Sequence, residues 1–379
     1  MKTKHLLLTA LLVGIPSVYA AEVNIRGFAS FMGGMTSSSD EQYSGYDNHF
    51  NFSPESLAAI QFDANLDEGL SATVQLVGRG VNGYDPTVEW AYMGYDLTDN
   101  LRLNAGRLRI PFYRFSDSLD VRYTYPWVEA PEEVYGIPFG TVDGVSLFYN
   151  GFIGDFETSV QAVFGQYDGT FTSAGDSPGN IEDLMGLAWS LSNSWLYLRA
   201  AYVKANVEVD VPDLDPLLAG VDEASLASGY DFSSVTSAIK IDGDVGAFGG
   251  IAVGIDHNNF LFDAEVIQYV VEDALVPQAD GYFVSLGYRF DKFTPYILIS
   301  KLESTTENKA SKHVPQFMPA LAQGISYAFE AAENEKEAVE IGFRYDFHDL
   351  AAFKASYMMR DDQNAGEVDV IRAGVDLVF

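Results

Sequence analysis

Val368–Phe379 reads VDVIRAGVDLVF. Ile371, Ala373, Val375, Leu377 and Phe379 share one phase, and Arg372, Gly374 and Asp376 share the other. A period of two sets successive side chains on opposite faces of a strand. One face of this strand is apolar throughout, while the other carries a positive and a negative charge. The fold turns on what the apolar face meets.

The same pattern recurs upstream. Ile60, Phe62, Ala64 and Leu66 oppose Gln61, Asp63 and Asn65, and after Asp67-Glu68-Gly69 the series Leu70, Ala72, Val74 and Leu76 opposes Ser71, Thr73, Gln75 and Arg79. Two such runs joined by three residues make an antiparallel hairpin. Phe156–Phe164, Leu196–Tyr202, Tyr282–Phe290, Val339–Phe347 and Phe353–Arg360 alternate likewise. Soluble sandwiches also alternate, so connection lengths decide. Asp67–Gly69, Thr98–Asn100, Asn150–Asp155, Ser192–Ser194, His257–Asn259, Asp291-Lys292 and His348-Asp349 are short. Between them stand Met35–Pro54, Gly80–Pro86, Tyr113–Thr141, Tyr167–Asn180, Ala205–Ser237, Asp273–Asp280, Glu303–Glu335 and Asp361–Glu367, most of them long. Tight periplasmic turns alternating with long outer loops are the mark of a transmembrane barrel. The expectation is an all-β, antiparallel transmembrane β-barrel of about sixteen strands. Val207–Val211 could add a hairpin and make eighteen. Asp213–Ser228 and Gln316–Ala332 have helix-compatible spacing within outer loops.

Composition agrees. Lys2 and Lys4 precede the apolar run Leu6–Ile15, too short to span a bilayer, and Val18-Tyr19-Ala20 fits a small-x-small cleavage site. Residues 1–20 therefore read as a signal peptide, with 21–379 as a single barrel domain in the cell outer membrane. The net charge of −32 becomes −34 once Lys2 and Lys4 leave with the leader, which argues against nucleic acid as a partner. Hydrophobic residues at 47% exclude an acidic disordered chain. There is no cysteine, hence no disulfide or thiol chemistry.

Leu101–Gly144, LRLNAGRLRIPFYRFSDSLDVRYTYPWVEAPEEVYGIPFGTVDG, concentrates five of the twelve arginines within 102–122. It begins as a strand and continues into a connection too long for a turn, and such connections are usually functional. Residues 113–141 are expected to fold back into the barrel and narrow the pore. Arg102, Arg107, Arg109, Arg114, Asp117, Asp120, Arg122, Glu129, Glu132 and Glu133 are the constriction residues on this reading. Arg102 and Asn104 share one phase, Arg107 and Arg109 the other. A bulge near Ala105-Gly106 would turn all of them inward; without it, Arg107 or Arg109 snorkels at the rim. Strand phasing puts Arg79, Arg199, Arg289, Arg344, Lys354, Arg360 and Arg372 on the pore wall, because a charge on the lipid face costs about 2–4 kcal/mol near the midplane. Tyr113, Tyr123, Tyr125, Trp127 and Tyr135 could offer stacking surfaces to solutes, though packing the loop onto the wall is the stronger reading.

Catalysis finds little support. The mature chain has four histidines (His49, His257, His313 and His348), no G-x-S-x-G nucleophile motif and no metal-ligand spacing. No enzyme activity, cofactor or structural metal is expected. Acidic stretches such as Asp210–Asp222 read as a hydrated rim sooner than as divalent-cation sites.

The leader, the sixteen segments and the C-terminal strand ending in Phe379 together resemble the Gram-negative outer-membrane trimeric porin superfamily. Leu108–Tyr113 with its flanking arginines resembles a porin subgroup of marine gammaproteobacteria. Phosphate-selective and general diffusion porins both remain open. The resemblance implies a homotrimer, set among outer-membrane lipid and lipopolysaccharide, passing small hydrophilic solutes and ions by passive diffusion. It also implies that Phe379 is an assembly signal read by the barrel-assembly machinery, and that an acidic inward loop faces an arginine-lined wall, setting a field across the narrowest section. The alternatives are a substrate-selective channel of the same fold, for anions, dicarboxylates or oligosaccharides, and, from other classes, a secreted glycan-binding β-sandwich or an outer-membrane lipase.

Overall fold

The computed structural model describes residues 22–171 and 177–379. The leader expected at 1–20 lies outside them. Sixteen strands follow one another: β1 Glu22–Thr36, β2 Leu57–Asn65, β3 Leu70–Arg79, β4 Pro86–Thr98, β5 Leu101–Arg109, β6 Thr141–Ile153, β7 Phe156–Phe171 and β8 Ser177–Ser192, then β9 Leu196–Val209, β10 Ile241–His257, β11 Phe260–Val271, β12 Gln278–Tyr288, β13 Phe293–Thr305, β14 Asn334–His348, β15 Ala351–Asp362 and β16 Gly366–Val378. Each pairs antiparallel with its neighbours in sequence, and β16 pairs with β1 to close the barrel. Closure excludes the two-sheet sandwich and leaves no open edge in lipid, where every backbone polar group must be paired.

The seam is completed by the last residue. Phe379 and Gly27 exchange backbone hydrogen bonds of 2.8 and 2.9 Å. The Phe379 ring lies across Gly27, where a Cβ would stand 2.3 Å from it, and the side chain is 63% exposed on the outer face. The outward row continues on other strands: Val145, Leu147 and Tyr149 on β6, and Tyr282, Val284 and Leu286 on β12, are all exposed. Their inward neighbours, such as Ser146 and Ser285, are buried. The apolar medium is thus lipid on the outside.

Among the described residues the strand count is sixteen, not eighteen. Val207 belongs to β9, and no hairpin interrupts it. Strands β7 to β9 run further than alternation suggested because their polarity inverts toward the loop end. On β9, Leu198, Ala200 and Tyr202 face out beside inward Arg199; higher up, Lys204, Asn206 and Glu208 take the outward phase while Val203, Ala205, Val207 and Val209 turn in. The outer surface there meets water, and the inner surface meets loops. The loops carry the two expected helices, trimmed to α2 Asp215–Ser228 and α4 Pro319–Ala332, together with α3 Ser233–Ser237. They share an apolar core that includes Val221, Val235, Ile239, Ile325 and Phe329.

Candidate pore constriction

Residues 110–140 leave the wall at the end of β5 and return at the start of β6. The amide of Ile110 donates to the Gly140 carbonyl at 2.9 Å and pins the base of the excursion. Inside the barrel the loop contains a short helix, α1 Glu132–Tyr135. It crosses to the far wall. Trp127 Nε1 donates to Ser285 Oγ at 2.7 Å, Ser300 Oγ to Glu133 at 2.9 Å and Tyr135 OH to Glu265 at 2.6 Å. Phe112, Tyr113, Tyr125, Trp127 and Val134 form a core with lumen-facing Phe248, Phe283, Tyr296 and Leu298. Tyr113, Tyr125 and Trp127 are therefore packing residues, not a stacking track. Tyr123 differs: it lies under the Arg344 guanidinium at 4.4 Å.

Charges sit in three clusters. In the first, Asp120 accepts from Arg79 at 2.9 Å and from Arg109 at 3.1 Å, and Glu89 lies 3.2 Å from both arginines. Glu89 reaches them because β4 bulges there, with Trp90 opposite Gln75 and Val88 opposite Leu76. Burial acts to raise the Asp120 carboxyl, but Arg79 and Arg109 hold it below its ordinary value. In the second, Arg372 joins Glu55 at 2.8 Å and Glu340 at 2.6 Å, while Arg122 binds Glu129 at 2.7 Å and the Glu55 carbonyl at 2.6 Å. Burial pushes the Glu129 carboxyl up to about 7; Arg122 opposes that shift, and the neighbouring Glu55 carboxylate adds to it. In the third, Arg360 contacts Glu132 at 3.0 Å and Glu133 at 3.3 Å, with Lys336 3.5 Å from Glu132.

One clamp ties the loop to the wall. Lys354, fully buried on β15, donates to the carbonyls of Arg122 and Trp127 at 2.6 Å each. It also pairs with Asp376 at 2.7 Å. Breaking such a pair from one side is strongly destabilising because it strands a buried charge.

The remaining expected residues distribute as follows. Arg114 pairs with Asp263 and stacks on Tyr197 at 4.8 Å, and Asp117 lines a cavity of about 460 Å³ with Arg199 on the turn side of the loop. Arg199 donates to the Pro111 carbonyl at 2.9 Å. Arg289 pairs with Asp256 at 2.6 Å, and with Arg344 it lines a turn-end vestibule of about 640 Å³. Arg102, near the start of β5, bonds Asp96 at 3.2 Å and Asn104 at 3.2 Å, so it lines the wall near the turns instead of meeting the loop.

Two expectations need correction. No bulge occurs at Ala105-Gly106: β5 stays in register with β6 from Leu101 to Arg109. Gly106 has φ +136°, and a Cβ there would stand 2.3 Å from the Ala91 carbonyl oxygen, so the close approach of β4 needs glycine. Arg107 therefore keeps the outward phase and pairs with Asp143 at 2.8 Å, both half exposed and each third from the loop end of its strand. That is the rim position. Secondly, Asp120, Glu129, Glu132 and Glu133 do not face the arginines across open water; they touch them, in the three clusters above, while Asp117 faces Arg199 across a cavity. The sequence reading also missed Glu55, Glu89, Glu340 and Asp376 as partners. Glu340 and Asp376 stand on inward phases beside inward bases, and that juxtaposition was the available signal.

A closed sixteen-strand barrel with an inward loop after the fifth strand is one half of the identification. The other is sequence: the family model described as Gram-negative porin matches residues 8–365. The chain belongs to the Gram-negative porin family. No curated protein matches this porin by sequence. Solved structures share its fold at low identity. A loop L8 deletion form of OmpT from Vibrio cholerae aligns with a TM-score of 0.59 and 12% identity, covering 95% of this chain and 100% of that one. OmpF of Salmonella typhi, solved in complex with daunomycin, aligns at 0.60 and 13%, over 95% and 98%. An anion-selective porin from Comamonas acidovorans aligns at 0.55 and 9%, over 95% and 100%. The porin is an outer-membrane channel protein, and its apolar band is the lipid contact.

Proposed function

We propose that small hydrophilic solutes and ions diffuse passively through this porin, and that residues 110–140 set the size and charge limits. The observation that carries the reading is a polar cavity of about 350 Å³ between the loop and β2–β3, lined by Arg79, Asp120, Arg122, Glu129 and Glu132. Its charged lining is Arg79 and Arg122 with Glu55, Asp120, Glu129 and Glu132, and both signs together suit hydrated polar solutes. Because every arginine on the loop has a carboxylate partner, no surplus of positive charge favours anions. With acidic outer loops concentrating cations at the mouth, the porin should be weakly cation-preferring. Planar-bilayer recording tests this: stepwise ohmic conductance is expected, and its absence from folded protein overturns the reading. A channel dedicated to anions or dicarboxylates is the second reading; it would show saturable block of ion current by its solute.

The assembly is proposed to be a homotrimer, by analogy with the trimer form of Vibrio cholerae OmpT, which aligns at a TM-score of 0.55 and 12% identity. Mass measurement in detergent checks it. Lipopolysaccharide is the proposed neighbour of the Arg107–Asp143 rim pair, and the barrel-assembly machinery the proposed reader of Phe379. The leader is proposed to end at Ala20, so N-terminal sequencing of the membrane form should begin at Ala21. Transport without catalysis is proposed; hydrolysis of lipid esters by the purified porin would contradict it.

A further inference from the structure

On the side of the lumen away from the polar cavity lies a second one, of about 500 Å³, at the loop end. Its walls include Val203, Val207 and Val209 of β9, Phe248 of β10, Tyr269 of β11 and Phe139 of the inward loop. Lumen-facing positions in a porin meet water, so polar residues are expected there. Here the inward phase is apolar, and the outward phase of β9 at the same height carries Lys204, Asn206 and Glu208. Part of this wall seats the inward loop, since Val203, Ala205 and Phe248 pack with Phe112 and Phe139. The outer helices α2, α3 and α4 bury their apolar faces in a core of their own, so Val207, Val209 and Tyr269 keep part of their surface toward the cavity. Ligand pockets commonly enclose 300–1,000 Å³ and combine apolar walls with a few polar groups. The polar groups at this one are Glu132, Glu133, Lys336, Asn334 and Ser304.

We propose that this cavity binds an aromatic or aliphatic solute bearing a positive charge, and holds it above the constriction. The cationic choice follows from charge. Residues 210–244, which arch over this end, carry eight carboxylates against one lysine, Lys240. At low ionic strength that excess concentrates cations at the entrance. Glu132 borders both cavities, but their walls lie on opposite sides of the lumen, so the porin has two kinds of surface inside one barrel: ion-paired toward β1–β3, apolar toward β7–β11.

Titration calorimetry on the full-length porin held in amphipol tests this, with acridine orange as the aromatic cation and fluorescein as an anion of similar ring size. Acridine orange should bind at low salt and fluorescein should not. Val207→Asn should weaken acridine orange binding about tenfold, because an amide replaces one aliphatic wall. Val271→Asn, on the same cavity from β11, is the second variant if the first fails to fold; heat-modifiable gel mobility reports folding. Binding unaltered in a folded variant, no binding by the parent, or equal binding of both dyes would overturn the proposal. Calorimetry does not involve current, so failure here leaves the channel reading standing, and failure of conductance leaves this one standing.

Discussion

Replacing Lys354 with methionine should free the inward loop while leaving the barrel closed. The ammonium is fully buried, and Asp376 beside it is 1% exposed. It is the shared donor to the Arg122 and Trp127 carbonyls. Hydrogen bonds to a charged group contribute about 1.5–3 kcal/mol each. Taking the lower figure for both gives about 3 kcal/mol toward the docked loop, or roughly a hundredfold change in its undocked fraction at about 1.4 kcal/mol per tenfold. Asp376 also loses its buried partner, a loss of about 3–5 kcal/mol on its own. The two effects can be separated. In Lys354→Met with Asp376→Asn no buried charge is stranded, and the amide can still accept from Ser30 Oγ, which lies 2.6 Å from Asp376. The double variant should regain most of the barrel's thermal stability, read as the temperature at which gel mobility shifts. Both variants should show larger, noisier single-channel currents than the parent. Parent-like noise in both would refute the assignment of Lys354 as the loop clamp.

Glu129, held near 7 by burial, gains a negative charge as pH rises through that value, so cation preference should increase between pH 5 and 8. Glu129→Gln should remove that increase, and an unchanged pH profile would assign it elsewhere. Val375→Arg sets a charge on the outward row opposite exposed Phe31; with a penalty of about 2–4 kcal/mol near the midplane, the variant should accumulate outside the membrane fraction. Deleting Phe379 removes both backbone bonds to Gly27 and should lower the yield of heat-modifiable protein, whereas Phe379→Tyr should assemble normally. Quantitative blotting of membrane fractions checks both.

The barrel was legible wherever a strand keeps lipid on one side and water on the other, as β12 and β14–β16 do. Legibility failed where the media change. At the loop ends of β7–β9 the outside is wet and the inside apolar, so the same period was read as loop. On β1 alternation is blurred because both faces are covered: a Cβ at Gly33 would stand 2.4 Å from the Phe50 ring, and one at Gly34 would stand 3.0 Å from Tyr46. The inward loop was legible from its length and its arginines. The partners were not, since Glu55 sits in another connection, Glu89 is presented by a bulge, and Arg372 meets Glu55 across the closing seam. Arg107 was misplaced because β5 carries no inserted residue beside β6, and only an insertion changes the phase.

An inward loop whose acids are paired mainly with bases of the wall governs passage through this barrel beneath an acidic mouth. Reversal potentials of the reconstituted porin under a tenfold potassium chloride gradient test it most directly, measured at low and at high mean salt. A modest cation preference at low salt, shrinking toward none as the mouth charges are screened, is the expected result. A preference for anions at either salt would be the contradicting result, because Arg79, Arg109, Arg122, Arg360 and Arg372 at the constriction are each held by a carboxylate.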